Sequence, residues 1–170
     1  MSMTGKDVVN LYKKLEDKKI QIWVDGGWSV DALMEKQLRD HNDLDIGINN
    51  KDLNSLLQFL KEEGYKEIRN DDNGYNLVYQ DNIGHEIDIH AFIKDENGEI
   101  VGGIMYPTES LTGVGKIEGY SVRCISPKYM VQFLAPWISK HPHKYIQAVS
   151  ELCNKFNIEL PKEYLDYQPR

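Results

Sequence analysis

The sequence predicts an α+β fold, a mixed sheet flanked by helices and followed by a short C-terminal helical segment. Three observations predict it. Short β-rich runs are interleaved with stretches of helical periodicity, clusters of turn-forming residues cut the middle of the chain into brief strands, and the end of the chain returns to helical spacing. With 170 residues, 41% hydrophobic and 28% charged, the chain can bury one core under an ordinary polar surface. The expected division is a core over residues 1–125 and a helical segment over 126–170 packed on it.

The elements follow in order. Residues 6–19 place Val8, Val9, Leu11, Tyr12 and Leu15 at helical spacing, with Thr4 as a cap before them. Residues 20–24 (IQIWV) alternate as a strand, Gly26-Gly27 breaks it, and helical spacing resumes over 28–35. After a polar, irregular 36–42, residues 43–48 (DLDIGI) alternate acid or glycine with aliphatic, again a strand. Leu53, Leu56, Leu57 and Leu60 make 51–63 an amphipathic helix that Gly64 stops. Strands are expected at 65–69, 75–80 and 85–93, with a turn at 70–74, and near 99–105 after the DENG turn of 95–98. Gly113-Val114-Gly115 reads as a mobile loop near substrate, leading to a strand at 119–125. Ser126-Pro127 opens a helix to about Ile138, His141-Pro142-His143 is a solvated linker, and 144–156 form the last helix.

Composition excludes several classes. Against 27 Asp+Glu stand 20 Lys+Arg, a formal charge of −7, which disfavours a sleeve for nucleic acid. No run approaches the ~18 apolar residues of a membrane span, and the polar N-terminus lacks the apolar stretch of a signal peptide. Cys124 and Cys153 have no metal-ligand spacing and read as reduced thiols of a cytoplasmic protein. Trp23, Trp28 and Trp137 are expected in the core, and Asp71, Asp72, Asp81, Glu96 and Glu99 on a solvated face.

The chemistry concentrates at two places. In the strand at 43–48, residues two apart share a face, so Asp43 and Asp45 point together while Leu44, Ile46 and Ile48 point to the core. Two carboxylates side by side without Lys or Arg between them repel each other, and a divalent, oxygen-seeking cation such as Mg²⁺ relieves this. Gly26-Gly27 lies at a strand-to-helix turn, where bare amides and a helix N-terminus can hold phosphate oxygens. The run EIDIH at 86–90 alternates too, placing Glu86, Asp88 and His90 on one face. If that strand lies beside 43–48, Asp88 completes a cluster of three carboxylates. Periodicity alone does not separate Asp88 from Glu86.

Gly-Gly, then Asp-x-Asp, then a lone carboxylate on a later strand resembles the DNA polymerase β-like nucleotidyltransferase superfamily. More narrowly, WVDGGWSVDAL, RDHNDLDI and EIDIH resemble the small antibiotic nucleotidyltransferases, acting on lincosamides or at the 2'' position of aminoglycosides. The resemblance covers residues 5–125, and YSVRC at 120–124 is similar to the family's last core strand. It implies that Asp43 and Asp45 ligate Mg²⁺ together with a nucleoside triphosphate, ATP first, whose phosphates Gly26 and Gly27 hold. Asp88 is implied as general base toward the acceptor hydroxyl, as a further metal ligand, or as both. Arg39 and His41 are implied on the nucleotide phosphates, and Lys144, or else Lys140, as the basic residue that neutralises them.

The activity implied is transfer of a nucleoside monophosphate to a hydroxyl of an antibiotic, a lincosamide ahead of an aminoglycoside, with release of pyrophosphate, by a monomer or homodimer without nucleic-acid or membrane partners. The alternatives are a toxin-type transferase that modifies a macromolecule, and a catalytically silent nucleotide-binding module.

Overall fold

Thr4 opens the first helix, α1 (Gly5–Asp17), with a reciprocal cap: its hydroxyl accepts the Asp7 amide at 3.2 Å, and Asp7 Oδ2 accepts the Thr4 amide at 2.8 Å. The computed structural model describes residues 2–167, so Met1 and 168–170, the ends of the two expected segments, lie outside the described residues. Strand β1 (Ile22–Val24) runs into α2 (Gly26–Met34), and β2 (Asp43–Asn49) into α3 (Asn50–Glu62), capped by Asn49. Then come β3 (Lys66–Asp71), β4 (Asn76–Gln80), β5 (Glu86–Lys94), β6 (Ile100–Gly103), β7 (Gly113–Ile117) and β8 (Tyr120–Cys124). The chain closes with α4 (Pro127–Leu134), α5 (Pro142–Phe156) and a single turn, α6 (Lys162–Leu165), which the sequence gives no sign of.

The described residues form one mixed sheet in the order β3-β4-β5-β2-β1-β8-β7, with β6 alongside β5. Its centre positions the site. Strand β2 pairs antiparallel with β1 and parallel with β5, in a register that sets Asp45 opposite Asp88 and Asp43 opposite Glu86. The intervening Leu44, Ile46, Ile48, Ile87 and Ile89 are essentially inaccessible. Their burial, at roughly 1.5–3 kcal/mol each, is what holds the register, because a slip by one residue would turn the carboxylates into the core. The expected α+β fold is the observed one.

Three details differ from the sequence reading. Gly113-Val114-Gly115 is not a loop but the start of edge strand β7, paired antiparallel with β8. Here glycine marks close approach: a Cβ on Gly115 would lie 2.4 Å from the Ala32 carbonyl on α2. His141-Pro142-His143 is not a linker, since Pro142 takes the first position of α5, where its missing amide costs nothing, and His143 continues the helix. Helix α4 ends at Leu134, and a 3₁₀ turn (Ala135–Trp137) carries Trp137 to the surface, 46% exposed rather than in the core.

No helix among the described residues is long and apolar enough to cross a membrane. Cys124 and Cys153 are free and buried, and burial pushes the Cys124 thiol up to about 12.

Candidate active site

The end of β1 and the start of α2 build the first wall. Asp25 caps α2, its Oδ1 accepting the Gly26 amide at 2.7 Å. Gly26 takes a left-handed φ of +57°, and a Cβ there would fall 1.9 Å from Asp45 Oδ2, so only glycine lets this backbone lie against the carboxylate. A Cβ on Gly27 would fall 2.3 Å from His41 Nδ1 and 2.8 Å from the Arg39 Nη2. The face of Gly27 is therefore where Arg39 and His41 converge. Because Asp25 takes the Gly26 amide, the amides left for an anion are those of Gly27 and the turn that follows.

The parallel β2–β5 pair builds the second wall. Asp45, Asp88 and His90 present ligand atoms within 4.8 Å of one another, and Asp43 precedes Asp45 on the same face. Burial first, then the charges of Asp43 and Asp25, raise the Asp45 carboxyl to about 7. Asp88 Oδ2 accepts from the Arg69 guanidinium at 3.2 Å, and its buried Oδ1 meets only the His90 ring, with Nε2 at 3.4 Å. Asp43, Asp45 and Asp88 on one face make a carboxylate set that fits a hard divalent cation such as Mg²⁺.

Asp25, His90 and Tyr106 tie the two walls together. The Tyr106 hydroxyl donates to Asp25 Oδ2 at 2.7 Å and lies 3.0 Å from His90 Nδ1, while His90 Nε2 is 3.4 Å from Asp88 Oδ1. Burial alone would raise the Asp25 carboxyl, but donation from His90, Tyr106 and Gly26 outweighs it and holds the group below its ordinary value. Burial alone would lower His90, but Asp25 and Asp88 outweigh it and bring the imidazole up to about 10. The ring is thus a cation wedged between two anions.

These walls open on a cleft of about 540 Å³. It is lined by Asp25, Gly26, Gly27, Arg39, His41, Asp43, Asp45 and His90 from the core, and by residues of α4 and α5 from the other side. Lys144 lines it, in the first turn of α5; Lys140 does not, and stacks on the Trp137 ring instead. None of Asp71, Asp72, Asp81, Glu96 or Glu99 lines it.

The sequence reading gave no role to Asp25, Asp31, His90 or Tyr106. An acid directly before a helix is a capping signal, and an acid inside the apolar run Val30-Asp31-Ala32 signals a buried pair. Tyr106 sits in an irregular segment far along the chain from Asp25, and no local pattern marks it.

The model of the aminoglycoside-2''-adenylyltransferase family matches residues 7–144, from α1 into the first turn of α5. The chain belongs to this family. Among the family's relatives, a lincosamide resistance protein of Staphylococcus haemolyticus is 29% identical over 109 residues, 58% of this chain and 61% of that protein. The chain thus spans less than two thirds of that curated relative's length. Among solved structures, the lincosamide adenylyltransferase LnuA bound to lincomycin superposes with a TM-score of 0.77 at 23% identity, covering 89% of this chain and 99% of LnuA. ANT(2'')-Ia in complex with adenylyl-2''-tobramycin superposes with a TM-score of 0.75 at 18% identity, covering 89% of this chain and 88% of that one. The expected membership of the small antibiotic nucleotidyltransferases, and their fold, are thereby shown.

Proposed function

We propose that this family member is a Mg²⁺-dependent nucleotidyltransferase. It moves a nucleoside monophosphate from a nucleoside triphosphate, ATP foremost, to a hydroxyl of a small antibiotic and releases pyrophosphate. The observation that carries this reading is the pairing of Asp45 with Asp88 across β2 and β5, directly against the backbone of Gly26. Asp43, Asp45 and Asp88 would hold the metal, which when bound offsets the charge that builds on the phosphate and pyrophosphate oxygens. The chain's own groups do the rest. Gly27's amide, Arg39, His41 and Lys144 hold the triphosphate, Gly26 lets it approach Asp45, and Asp88 accepts the acceptor's proton as the new P–O bond forms. Residues of the expected 1–125 core supply most of the nucleotide half, while residues of α4 and α5 wall the cleft and add Lys144.

A lincosamide is the favoured acceptor over an aminoglycoside. Apart from Asp25, Asp31, Asp43 and Asp45, the cleft lining carries no carboxylate among the described residues. Its far side is apolar, with Ile104, Met105, Met130, Phe133, Leu134 and Trp137. An acceptor with several ammonium groups would lose hydration there without ionic partners, whereas one with a single amine and an apolar body would not. Similarity to a lincosamide resistance protein supports the same preference.

The test is pyrophosphate release with Mg²⁺ and ATP across lincosamides and aminoglycosides, with Asp45→Asn as control. Release with a lincosamide, lost in the variant, is expected. Absence of release with every acceptor would refute the reading.

A further inference from the structure

Asp31 and His41 form a buried, hydrogen-bonded pair beside the cleft, 3% and 1% exposed. Asp31 lies on α2, and His41 stands just ahead of β2. Asp31 Oδ2 is 2.5 Å from His41 Nε2, and Asp31 Oδ1 accepts the Leu38 amide at 3.0 Å. Both carboxylate oxygens are therefore committed to the segment between α2 and β2, the segment that also carries Arg39. His41 is held from other directions as well: its ring centroid is 4.7 Å from that of Trp28, and its backbone carbonyl accepts the Met3 amide at 3.1 Å.

With the ring so fixed, Nδ1 is the nitrogen left over. It is buried and has no hydrogen-bond partner among the described residues, and it is the atom that a Cβ on Gly27 would meet first, at 2.3 Å. An unpaired buried polar atom is costly, and folded proteins keep one where a ligand completes it. Trp28 Nε1 and Ser110 Oγ are also unpaired, but neither residue lines the cleft, as His41 does. The surroundings indicate what completes Nδ1: the Arg39 guanidinium converges on the same face of Gly27, its Nη2 2.8 Å from where a Cβ would lie, at the N-terminus of α2, so the position suits an anionic oxygen.

We propose that Asp31 is a positioning residue for the nucleotide: by locking Leu38 and His41 with its two oxygens, it aims His41 Nδ1 across the face of Gly27 at a phosphate oxygen of the triphosphate. This rests on the nucleotidyltransferase reading and deepens it. One carboxylate that never touches substrate sets both the ring nitrogen that does and the backbone beside Arg39. Asp31→Asn keeps size and shape, but with its one acceptor oxygen on the Leu38 amide it turns an NH₂ toward His41 Nε2 and reverses the polarity of that hydrogen bond.

The test uses the full chain with ¹⁵N-labelled histidine and two probes, Mg²⁺–ATP and adenosine, with ATP binding followed in parallel by calorimetry. The His41 Nδ1 resonance should move on adding Mg²⁺–ATP; adenosine should leave it unmoved. Asp31→Asn and His41→Ala should each weaken ATP binding about 10- to 100-fold, and the double variant no more than the worse single one. A purely structural Asp31 would leave the Nδ1 response to Mg²⁺–ATP unchanged in Asp31→Asn. ATP that binds while the Nδ1 resonance stays still overturns this proposal and leaves the nucleotidyltransferase reading intact. So does additive loss in the double variant. ATP that fails to bind at all overturns both.

Discussion

Replacing Asp45 with asparagine should make the metal-free protein more stable and inactive at once. Burial, Asp43 and Asp25 raise the Asp45 carboxyl to about 7 in the fold, against about 3.9 in an unfolded chain. Between those values the native state keeps a proton that the unfolded state has released, so Asp45 makes stability fall as pH rises through that window, and the loss is complete above it. About three pK units at 1.36 kcal/mol each give about 4 kcal/mol, and water in the open cleft reduces this to roughly 2–4 kcal/mol. Asparagine has the same shape and no charge to bury. In EDTA at about pH 8.5, Asp45→Asn should therefore melt roughly 4–16 °C above the wild type, at ~2–4 °C per kcal/mol for a chain of this size. At about pH 4 the two should nearly coincide. His90, raised to about 10, also loses stabilising charge as pH rises. That contribution comes mainly from Asp25 and Asp88, which both proteins keep, so most of it drops out of the comparison. Adding Mg²⁺ at high pH should raise the wild type and leave the variant almost unmoved. A variant no more stable than wild type at about pH 8.5, or a gap of equal size at both pH values, would refute the reasoning.

Three further outcomes follow from the same geometry. Gly27→Ala, whose Cβ would sit 2.3 Å from His41 Nδ1, should raise the KM for ATP roughly tenfold or more while the acceptor KM stays within a few-fold; steady-state kinetics with each substrate varied would show it. Asp88→Asn should lower kcat by about 10²–10⁴ with ATP affinity nearly intact, and near-wild-type transfer would shift the third-carboxylate role to Glu86. Tyr106→Phe removes the hydroxyl that donates to Asp25 Oδ2 at 2.7 Å and should cost about 1–3 kcal/mol in urea unfolding; no measurable cost would mean that Asp25 is satisfied without it.

The proposed nucleotide side was legible as a pattern because phosphate and metal chemistry restricts residue type and spacing together. Asp43 and Asp45 share a face by strand period alone, and the structure adds which neighbours they meet across a parallel register, Glu86 for Asp43 and Asp88 for Asp45. Glycine was legible at 26–27 and misleading at 113–115. In both places it permits close approach, to a carboxylate in the first and to the Ala32 carbonyl in the second, and the bare sequence cannot tell a cradle from a packed edge strand. Asp31 and His41 were both visible as residues but not as a pair. Their contact crosses an irregular segment with no period to read.

The proposed acceptor side was illegible for a different reason. Met130, Phe133 and Leu134 on α4 and Tyr145 and Ala148 on α5 line the cleft, yet helical spacing assigns such residues to a core, as it does for Val149 and Leu152 on the same helix. Apolar recognition works by shape, and shape arises only when helices, strand ends and the 104–106 segment are brought together. Trp137 makes the point most sharply. By composition it belongs inside, and it reaches the cleft wall because Pro136 follows the end of α4 in a 3₁₀ turn that redirects the chain. Substitutions along that wall should therefore alter which acceptor is used, whereas those around Asp45 should alter whether any is used. That asymmetry is what the proposed division of the cleft into a nucleotide half and an acceptor half requires.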